Sequence, residues 1–283
     1  MNIYFDHSNL EDMMHMPKMM IGTFRNNNYQ ELLDVVCAAV ECGFTGFDTA
    51  PSYKSEKVLG KAINEAAQKY SLDRKDFFIS DKIDAWQMQE GDGDIRRFVD
   101  EAISQMNIDY IDLLLIHWPI PEYVDSTWKC FEKLYESGIV KNIGICNLRV
   151  RHLKKYIQYD IHPQFLQIER HPLRTCIQEL EFCKEHGIKV MSYSPICQMD
   201  TRLKNSKILK RLAEKYNKNI GQVILRWHID TGCIPVFMTK KAKRVKENLD
   251  IFDFHLEKEE IDEISSLNEN YKIFLESWGC LGF

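Results

Sequence analysis

Short apolar segments alternate with longer amphipathic segments along the whole chain, and this alternation limits the possible folds more than any other feature. Eight predicted strands are each followed by a predicted helix. Strands separated by helices of about 10–15 residues pair in parallel, and the helices cover the sheet. The chain is therefore predicted to have an α/β fold. Eight such units in ~250 residues favour a closed (β/α)8 TIM barrel over an open doubly wound sheet. We expect it to form a single domain over residues 1–283.

The boundaries of the segments follow from their apolar spacing and from glycines that end several helices. The predicted strands are Met19–Ile21, Phe44–Phe47, Phe77–Ser80, Ile111–Ile116, Val140–Ile145, Phe165–Ile168, Ile188–Tyr193 and Cys233–Met238. The predicted helices are Tyr29–Cys42, Ser55–Tyr70, Asp94–Gln105, Ser126–Ser137, Val150–Ile157, Cys176–His186, Ser206–Tyr216, Ile220–Thr231, Lys243–Leu249 and Glu257–Leu267. The polar segment Gln87–Asp94 is interpreted as a loop, and residues from about 269 to 283 as a tail over the active site.

Composition excludes several other classes of protein. A hydrophobic fraction of 45% with 28% charged residues is typical of a folded chain and not of a disordered one. The net charge of −5 gives no sign of the basic surface that nucleic-acid binding needs. No segment approaches the ~20 consecutive apolar residues of a membrane span. The segment Met1–His7 does not have the cationic and then apolar pattern of a secretory signal, so none is expected there. The nine cysteines have neither disulfide nor metal-site spacing. We therefore expect a cytoplasmic, monomeric protein without a metal.

Polar side chains stand at the ends of three neighbouring predicted strands. Asp48 ends the second strand, and Tyr53 follows in its loop. Lys82 ends the third strand, and His117 ends the fourth. Each residue alone also fits a structural role, such as a helix cap, a surface ammonium or a buried histidine. Because active sites of (β/α)8 barrels lie at this end of the strands, their joint position favours catalysis.

Five segments resemble, in order, the aldo-keto reductase superfamily. They are 43–53 (GFTGFDTAPSY), 113–119 (LLLIHWP), 138–147 (GIVKNIGICN), 192–195 (SYSP) and 247–254 (ENLDIFDF). The resemblance covers nearly the whole chain and implies a (β/α)8 barrel, a nicotinamide cofactor bound without a Rossmann fold, and reduction of carbonyls to alcohols. Consistent with this, no G-x-G-x-x-G segment follows a predicted strand. The family's catalytic tetrad corresponds to Asp48, Tyr53, Lys82 and His117.

These four residue types suit the addition of hydride to a carbonyl group. The carbonyl oxygen gains negative charge during the reaction and needs a proton. Tyr53 is the best acid, although an unperturbed phenol with a pKa of about 10 is a poor donor near neutrality. An ammonium at Lys82, held by Asp48, would lower the pKa of Tyr53. A neutral His117 would donate a second hydrogen bond that orients the carbonyl.

The resemblance also implies which residues contact the cofactor. Tyr193 corresponds to the tyrosine that stacks on the nicotinamide, and Asn147 and Gln167 to residues that hold its carboxamide. Cys146 stands where the family usually has serine, and a thiol is a weaker donor than a hydroxyl. The other positions implied here are Ser194 and Ile196 along the pyrophosphate, and Gly22, Thr23 and Phe24 beside the nicotinamide and substrate.

At the adenosine end the match to the family is less complete. Many members have a lysine and then a serine that contact the 2′-phosphate, and this chain has Met238 and Thr239 there. Arg244 corresponds to the family's arginine at that phosphate, and Glu247 and Asn248 follow it. We therefore expect NADPH to be preferred, with NADH as a second usable cofactor.

Aromatic walls are expected around a small carbonyl substrate, formed by Phe24, Trp86, Trp118 and Trp278. Such walls suit aldehydes, ketones and sugar-like carbonyl compounds alike. Two other functions stay open at this point. One is an alcohol or polyol dehydrogenase that uses the same site in the oxidative direction. The other is a non-catalytic, nicotinamide-binding regulatory subunit, because fold does not fix function and the family's serine and lysine are replaced by Cys146 and Met238.

Overall fold

Eight parallel strands close into a barrel in the computed structural model of the chain, which describes residues 16–90 and 92–275. Each strand pairs with the next one in the sequence, and the last pairs with the first. The predicted (β/α)8 barrel is thereby confirmed. The strands are β1 (Met20–Gly22), β2 (Gly46–Asp48), β3 (Phe78–Ile83), β4 (Leu113–Ile116), β5 (Ile143–Cys146), β6 (Phe165–Glu169), β7 (Lys189–Tyr193) and β8 (Cys233–Met238).

Helices surround the barrel and connect successive strands. Within the described ranges they are α1 (Tyr29–Glu41), α2 (Glu56–Tyr70), α3 (Ala85–Gln89), α4 (Asp92–Met106), α5 (Val124–Glu136), α6 (Val150–Tyr156), α7 (Ile177–Glu185), α8 (Thr201–Asn205), α9 (Lys207–Lys215), α10 (Ile220–Asp230), α11 (Ala242–Leu249) and α12 (Lys258–Ser265). All ten helices predicted from the sequence are present. In the part of the chain that the structure describes, no helix has the length and apolar character needed to cross a bilayer.

The segment predicted as a loop at Gln87–Asp94 is partly helical, so that prediction is wrong. Helix α3 ends at Gln89, and α4 begins at Asp92. Local capping explains the helix: the backbone N–H of Asp84 donates to Gln87 Oε1 at 2.8 Å. Helix α8 was also missed, and it too begins at a polar cap, where Asp200 accepts from the backbone N–H of Arg202. Both helices are too short for apolar periodicity to reveal them.

Alternate residues of each strand separate the inside of the barrel from the layer beneath the helices. On β4, Leu113 and Leu115 belong to the cluster inside the barrel. Leu114 and Ile116 belong to the cluster between the barrel and the helices. Strands that are buried on both faces need apolar residues at every position, which accounts for the continuous apolar run of β4.

The interior of the barrel becomes polar at the carboxyl ends of the strands. Asp48, Lys82 and Gln167 are buried there, although they come from three different strands. Neighbouring strands keep these ends level, since Asp48 is in register with Ser80 of β3. The fold therefore gathers polar side chains from distant parts of the sequence at one end of an apolar barrel.

Candidate active site

A buried ion pair lies at the carboxyl end of the barrel. Lys82 Nζ donates to Asp48 Oδ1 at 2.7 Å and to the backbone carbonyl of Thr49 at 2.7 Å. Neither side chain of the pair is more than 4% exposed. The other carboxylate oxygen of Asp48 accepts from Ser80 Oγ at 3.1 Å and from Gln167 Nε2 at 3.0 Å. The pair therefore connects β2, β3 and β6 through hydrogen bonds.

The side chain of Tyr53 stands beside this ion pair. Tyr53 ends a short 3-10 turn that follows β2. Lys82 Nζ lies 4.9 Å from the centre of its ring, and its hydroxyl oxygen lies 3.5 Å from His117 Nε2. The structure thus brings together the four residues predicted as the tetrad, including Asp48.

Burial controls the protonation of Tyr53. Removal of the phenol from water raises the pKa of Tyr53 well above its usual value, and this effect outweighs the ammonium of Lys82, which lowers it. Burial also opposes the charge on Lys82, but the carboxylate of Asp48 and the neighbouring groups raise the pKa of that ammonium overall. Lys82 lowers the pKa of Tyr53, as expected from the sequence, but the net shift of that pKa is upward. Tyr53 is therefore a protonated donor near neutrality.

His117 is held by a carboxylate that sequence reasoning missed. Asp84 Oδ1 lies 2.5 Å from His117 Nδ1, and the same carboxylate accepts from the backbone N–H and the hydroxyl of Ser52. An ionised carboxylate only accepts hydrogen bonds, so the imidazole proton lies on Nδ1. In this tautomer the neutral ring presents a lone pair at Nε2, whereas the sequence prediction has His117 donate a second hydrogen bond to the carbonyl. The sequence signal for Asp84 is its position two residues after Lys82, directly after the end of β3.

The ionisation of the two partners follows from burial and from their contact. Burial lowers the pKa of His117 below its usual value, and Lys82 acts in the same direction, whereas Asp84 raises it. Burial raises the pKa of Asp84, but the hydrogen bond from His117 and the contacts with Ser52 lower it overall. Asp84 is therefore ionised at neutral pH beside a neutral imidazole.

Side chains predicted to hold the nicotinamide meet at the ends of β5, β6 and β7. The hydroxyl of Tyr193 donates to Asn147 Oδ1 at 2.8 Å, and Asn147 Nδ2 donates to the carbonyl of His117 at 2.9 Å. Cys146 is fully buried, and its thiol donates to Gln167 Oε1 at 3.8 Å. The thiol that replaces the family's serine is therefore turned toward Gln167.

The loop after β7 has an unusual backbone. Ser194, Cys197, Gln198 and Met199 all have φ between 49° and 54°. Residues other than glycine rarely adopt this left-handed conformation, and such strain is often found in segments that hold a ligand. Ile196, predicted along the pyrophosphate, lies within this loop and is half-buried.

The first strand and the last helix of the predicted cofactor site are well ordered by hydrogen bonds. Gly22 is in register with both Asp48 and Met238, and the hydroxyl of Thr23 donates to the carbonyl of Asp48 at 3.1 Å. Glu247 accepts from Asn219, and the half-buried Asn248 follows it on α11. These contacts hold the end of β1 against β2 and β8, and the last turn of α11 against Asn219.

An exposed surface lies where β8 meets α11. Met238 ends β8 and is 46% exposed, whereas Thr239 is buried and its hydroxyl oxygen accepts from the backbone N–H of Lys241. Arg244 is exposed, and its guanidinium has neither a hydrogen-bond nor an ion-pair partner among the described residues. No group of metal-ligating side chains occurs in the ranges that the structure describes. A cation is thus available at the predicted phosphate position.

Two of the four predicted wall residues lie beside the tetrad. The ring of Phe24 packs edge-on against Tyr53, with the ring centres 5.2 Å apart, and the ring of Trp118 lies 6.1 Å from that of His117. Trp86 is on α3, half exposed, and packs instead against Phe98 of α4. Trp278 lies outside the described residues.

The described part of the predicted tail lies against the end of β6. The carboxylate of Glu169 accepts from the backbone N–H groups of Ile273 at 2.7 Å and Phe274 at 2.9 Å. Phe274 packs edge-on against Tyr193, with ring centres 5.8 Å apart. The tail therefore reaches the tyrosine predicted to stack on the nicotinamide.

Comparisons with known proteins agree with this arrangement. A family model described as the aldo/keto reductase family matches residues 18–269. The chain is 34% identical to the glyoxal reductase of Bacillus subtilis, over 93% of each chain, and 33% identical to the methylglyoxal reductase DkgA of Escherichia coli, over 93% and 94%. An aldo-keto reductase of Bombyx mori, solved in complex with NADP, superposes with a TM-score of 0.87 at 30% identity, over 95% of each chain.

The buried ion pair predicts an asymmetric effect of mutation on stability. Asp48→Asn leaves an uncompensated buried ammonium and should lower the free energy of unfolding by about 3–5 kcal/mol. Adding Lys82→Met should recover part of that loss, as measured by urea unfolding. Asp125→Asn, which breaks an exposed pair with Lys155, should cost only ~0–1 kcal/mol. Equal losses for Asp48→Asn and the double variant would contradict this account of the pair.

Proposed function

The chain belongs to the aldo/keto reductase family, and from this premise we propose that it reduces the carbonyl group of a small aldehyde, ketone or sugar-like compound to an alcohol, using NADPH. NADH is proposed as a weaker alternative. Relatives named for glyoxal and methylglyoxal make small dicarbonyl compounds the first substrates to test. The alternative functions, oxidation of alcohols and cofactor binding without catalysis, predict different outcomes in the same assay.

The position of the Tyr53 hydroxyl carries the proposal. This hydroxyl is protonated, and it lies beside the buried ammonium of Lys82 and the imidazole of His117. A carbonyl oxygen placed at this hydroxyl receives its proton as the carbonyl carbon is reduced. The ammonium of Lys82 then stabilises the phenolate left on Tyr53. Asp48 acts through Lys82, which it keeps charged in a buried position.

We further propose that His117 and Asp84 restore the proton of Tyr53 after each turnover. His117 Nε2 lies 3.5 Å from the hydroxyl oxygen. A proton taken up at Nε2 passes to the phenolate, while Asp84 at 2.5 Å from Nδ1 stabilises the transient imidazolium. Asp84 is thus a positioning residue that fixes the ring and its tautomer.

The residues around the site fit a nicotinamide dinucleotide. Tyr193 offers a ring face, and the amides of Asn147 and Gln167 each keep a further N–H beyond the bonds they make here. Arg244 is free to bind the 2′-phosphate, and the hydroxyl of Thr239 is free to donate. NADPH, when bound there, supplies the hydride. The chain itself supplies the proton and orients the carbonyl.

Tyr53→Phe tests the acid. It removes the proton donor and should lower kcat by roughly 10²–10⁴-fold with methylglyoxal, while the Kd for NADPH changes little. Loss of the reduced-nicotinamide absorbance measures kcat, and quenching of tryptophan fluorescence measures Kd. Tyr159→Phe, a substitution at a tyrosine bonded to Asp125, is the matched control. Near wild-type turnover in Tyr53→Phe would refute the role of Tyr53, and a wild type that binds but never oxidises NADPH would refute the function.

Asp84→Asn tests the positioning role. The carboxylate raises the pKa of His117, so its loss should move the His117 limb of the kcat–pH profile about one unit or more to lower pH. It should also lower kcat at least about tenfold, because the imidazolium is no longer stabilised. Asp84→Glu should recover part of the profile. A lower kcat with an unshifted limb would mean that Asp84 only supports the local fold.

Arg244→Ala tests the choice of cofactor. The 2′-phosphate is the chemical difference between NADPH and NADH, so the variant should raise the Kd for NADPH about tenfold or more and leave that for NADH unchanged. Met238→Lys should lower the Kd for NADPH, because it adds a cation at the end of β8. Arg211→Ala, an exposed arginine on α9, is the control. Equal weakening of both cofactors by Arg244→Ala would contradict a phosphate contact.

A further inference from the structure

A buried histidine on α10 contacts the end of β7, and neither the tetrad nor the predicted cofactor contacts use it. Both ring nitrogens of His228 have partners. Nε2 lies 3.0 Å from the carbonyl oxygen of Pro195, and Nδ1 lies 2.9 Å from Arg170 Nη1 and 3.0 Å from Ser192 Oγ. Because Arg170 directly follows β6 and Ser192 lies on β7, this one side chain links α10 to two strand ends and to the loop after β7.

The protonation of His228 is determined by its neighbours. A guanidinium carries only donors, so Nδ1 accepts from Arg170 and the ring proton lies on Nε2. Nε2 therefore donates to the carbonyl of Pro195. Burial and the charge of Arg170 lower the pKa of His228 well below its usual value, so the ring is uncharged at neutral pH.

Arg170 makes this arrangement rigid. Its side chain is buried, and no carboxylate pairs with it among the described residues. Its Nε donates to the carbonyl of Thr175 at 2.9 Å, and its guanidinium lies 3.8 Å from the centre of the Trp227 ring. A buried charge needs such partners, because water cannot solvate it. The acceptor at His228 Nδ1 is one of them, and this contact holds the imidazole in one orientation.

The segment that these two side chains hold contains Tyr193, the tyrosine predicted to stack on the nicotinamide. Ser192 comes directly before it, and Pro195 follows two positions later. The carbonyl of Tyr193 also accepts from the backbone N–H of Arg170, at 3.4 Å. Contacts of His228 and Arg170 thus hold the chain before, at and after this tyrosine.

The loop after β7 depends on the contact at Pro195. Residues 194–199 contain no glycine, although four of them have a left-handed backbone. Such a backbone costs free energy and persists only where its surroundings hold it. Backbone hydrogen bonds within the loop close its turns but do not connect it to another element. Within the described ranges, only one hydrogen bond, from His228 to Pro195, joins residues 194–198 to another element.

We propose that His228 is a positioning residue for the cofactor, which holds Tyr193 and the loop after β7 in the conformation that receives the nicotinamide and the pyrophosphate. The proposal rests on the proposed function, because it assumes that this segment binds a nicotinamide dinucleotide. The imidazole is fully buried and both its nitrogens are occupied, so it acts through Pro195 and Ser192 and not by touching the cofactor. Its loss should weaken cofactor binding and leave the reaction step in place.

Two amide substitutions separate the contacts of the ring. Asn places an acceptor near the position of Nδ1 but is too short to reach Pro195, whereas Gln places a donor near the position of Nε2. His228→Asn should therefore keep the acceptor of Arg170 and raise the Kd for NADPH about tenfold or more. His228→Gln should keep the bond to Pro195 and nearly the wild-type Kd, with a larger loss of stability to urea. His162→Asn, at an exposed histidine, is the matched control.

The fragment 2′-AMP shows which part of the cofactor is affected. It carries only the adenosine end, which is predicted to bind at Arg244 and not at the loop after β7. Titration calorimetry should give the same Kd for 2′-AMP in the wild type and in His228→Asn, although NADPH binds the variant more weakly. A general disturbance of the fold would weaken both ligands. Weakening of both, or an unchanged Kd for NADPH, would overturn the proposal.

Kinetics give a second readout. The KM for NADPH should rise in His228→Asn, while kcat with methylglyoxal at saturating NADPH should not fall. A lower kcat with an unchanged KM would place His228 in the reaction step and overturn the assignment. Because the binding measurements need no turnover, a wild type that binds NADPH but reduces no aldehyde would refute the proposed function and leave this test intact.

Ser192→Ala keeps the test valid should His228→Asn fail to fold. It removes the hydroxyl beside Nδ1 without changing the contact between His228 and Arg170. The Kd for NADPH should rise about threefold, and the Kd for 2′-AMP should stay at the wild-type value. An unchanged Kd for NADPH in this variant would count against the proposal in the same way.

Discussion

A fully buried ammonium needs an opposite charge in direct contact, and the candidate active site is built around the contact that supplies it. Lys82 lies at the end of an otherwise apolar barrel, and Asp48 supplies the opposite charge at 2.7 Å. The carboxylate in turn accepts hydrogen bonds from β3 and β6, so the pair draws in strands from across the barrel. An unpaired charge at this depth would cost several kcal/mol, which makes the geometry difficult to change.

The same burial determines the chemical state of the groups around the pair. Tyr53 stays protonated because removal from water outweighs the nearby ammonium, and the imidazole of His117 stays neutral for the corresponding reason. Asp84 differs from both, since hydrogen bonds keep its carboxylate ionised. The site thus combines a neutral acid, a fixed imidazole tautomer and two ionised carboxylates within a few ångströms.

The barrel and the tetrad could be predicted from the sequence, because each strand is a short continuous run and each tetrad residue lies at or just after the end of one. The run at β4 followed by His117 already indicates a buried strand that ends in a functional side chain. Contacts between distant positions could not be predicted in this way. Asp84 stands two positions after Lys82, but its contact with His117 follows only once β3 and β4 are paired. Trp86 is expected from the sequence to line the substrate pocket, but capping at the end of β3 starts α3, which turns Trp86 toward Phe98 of α4.

In the proposed reaction, hydride passes from the cofactor to the carbonyl carbon, and Tyr53 of this chain adds the proton. The most direct measurement uses NADPH deuterated at the reactive position of the nicotinamide, with methylglyoxal as substrate. Mass spectrometry of the product should then find one deuterium on the former carbonyl carbon, at a rate that matches cofactor oxidation. Cofactor that binds but transfers no deuterium to methylglyoxal or to any aldehyde tested would contradict the account and favour a binding subunit.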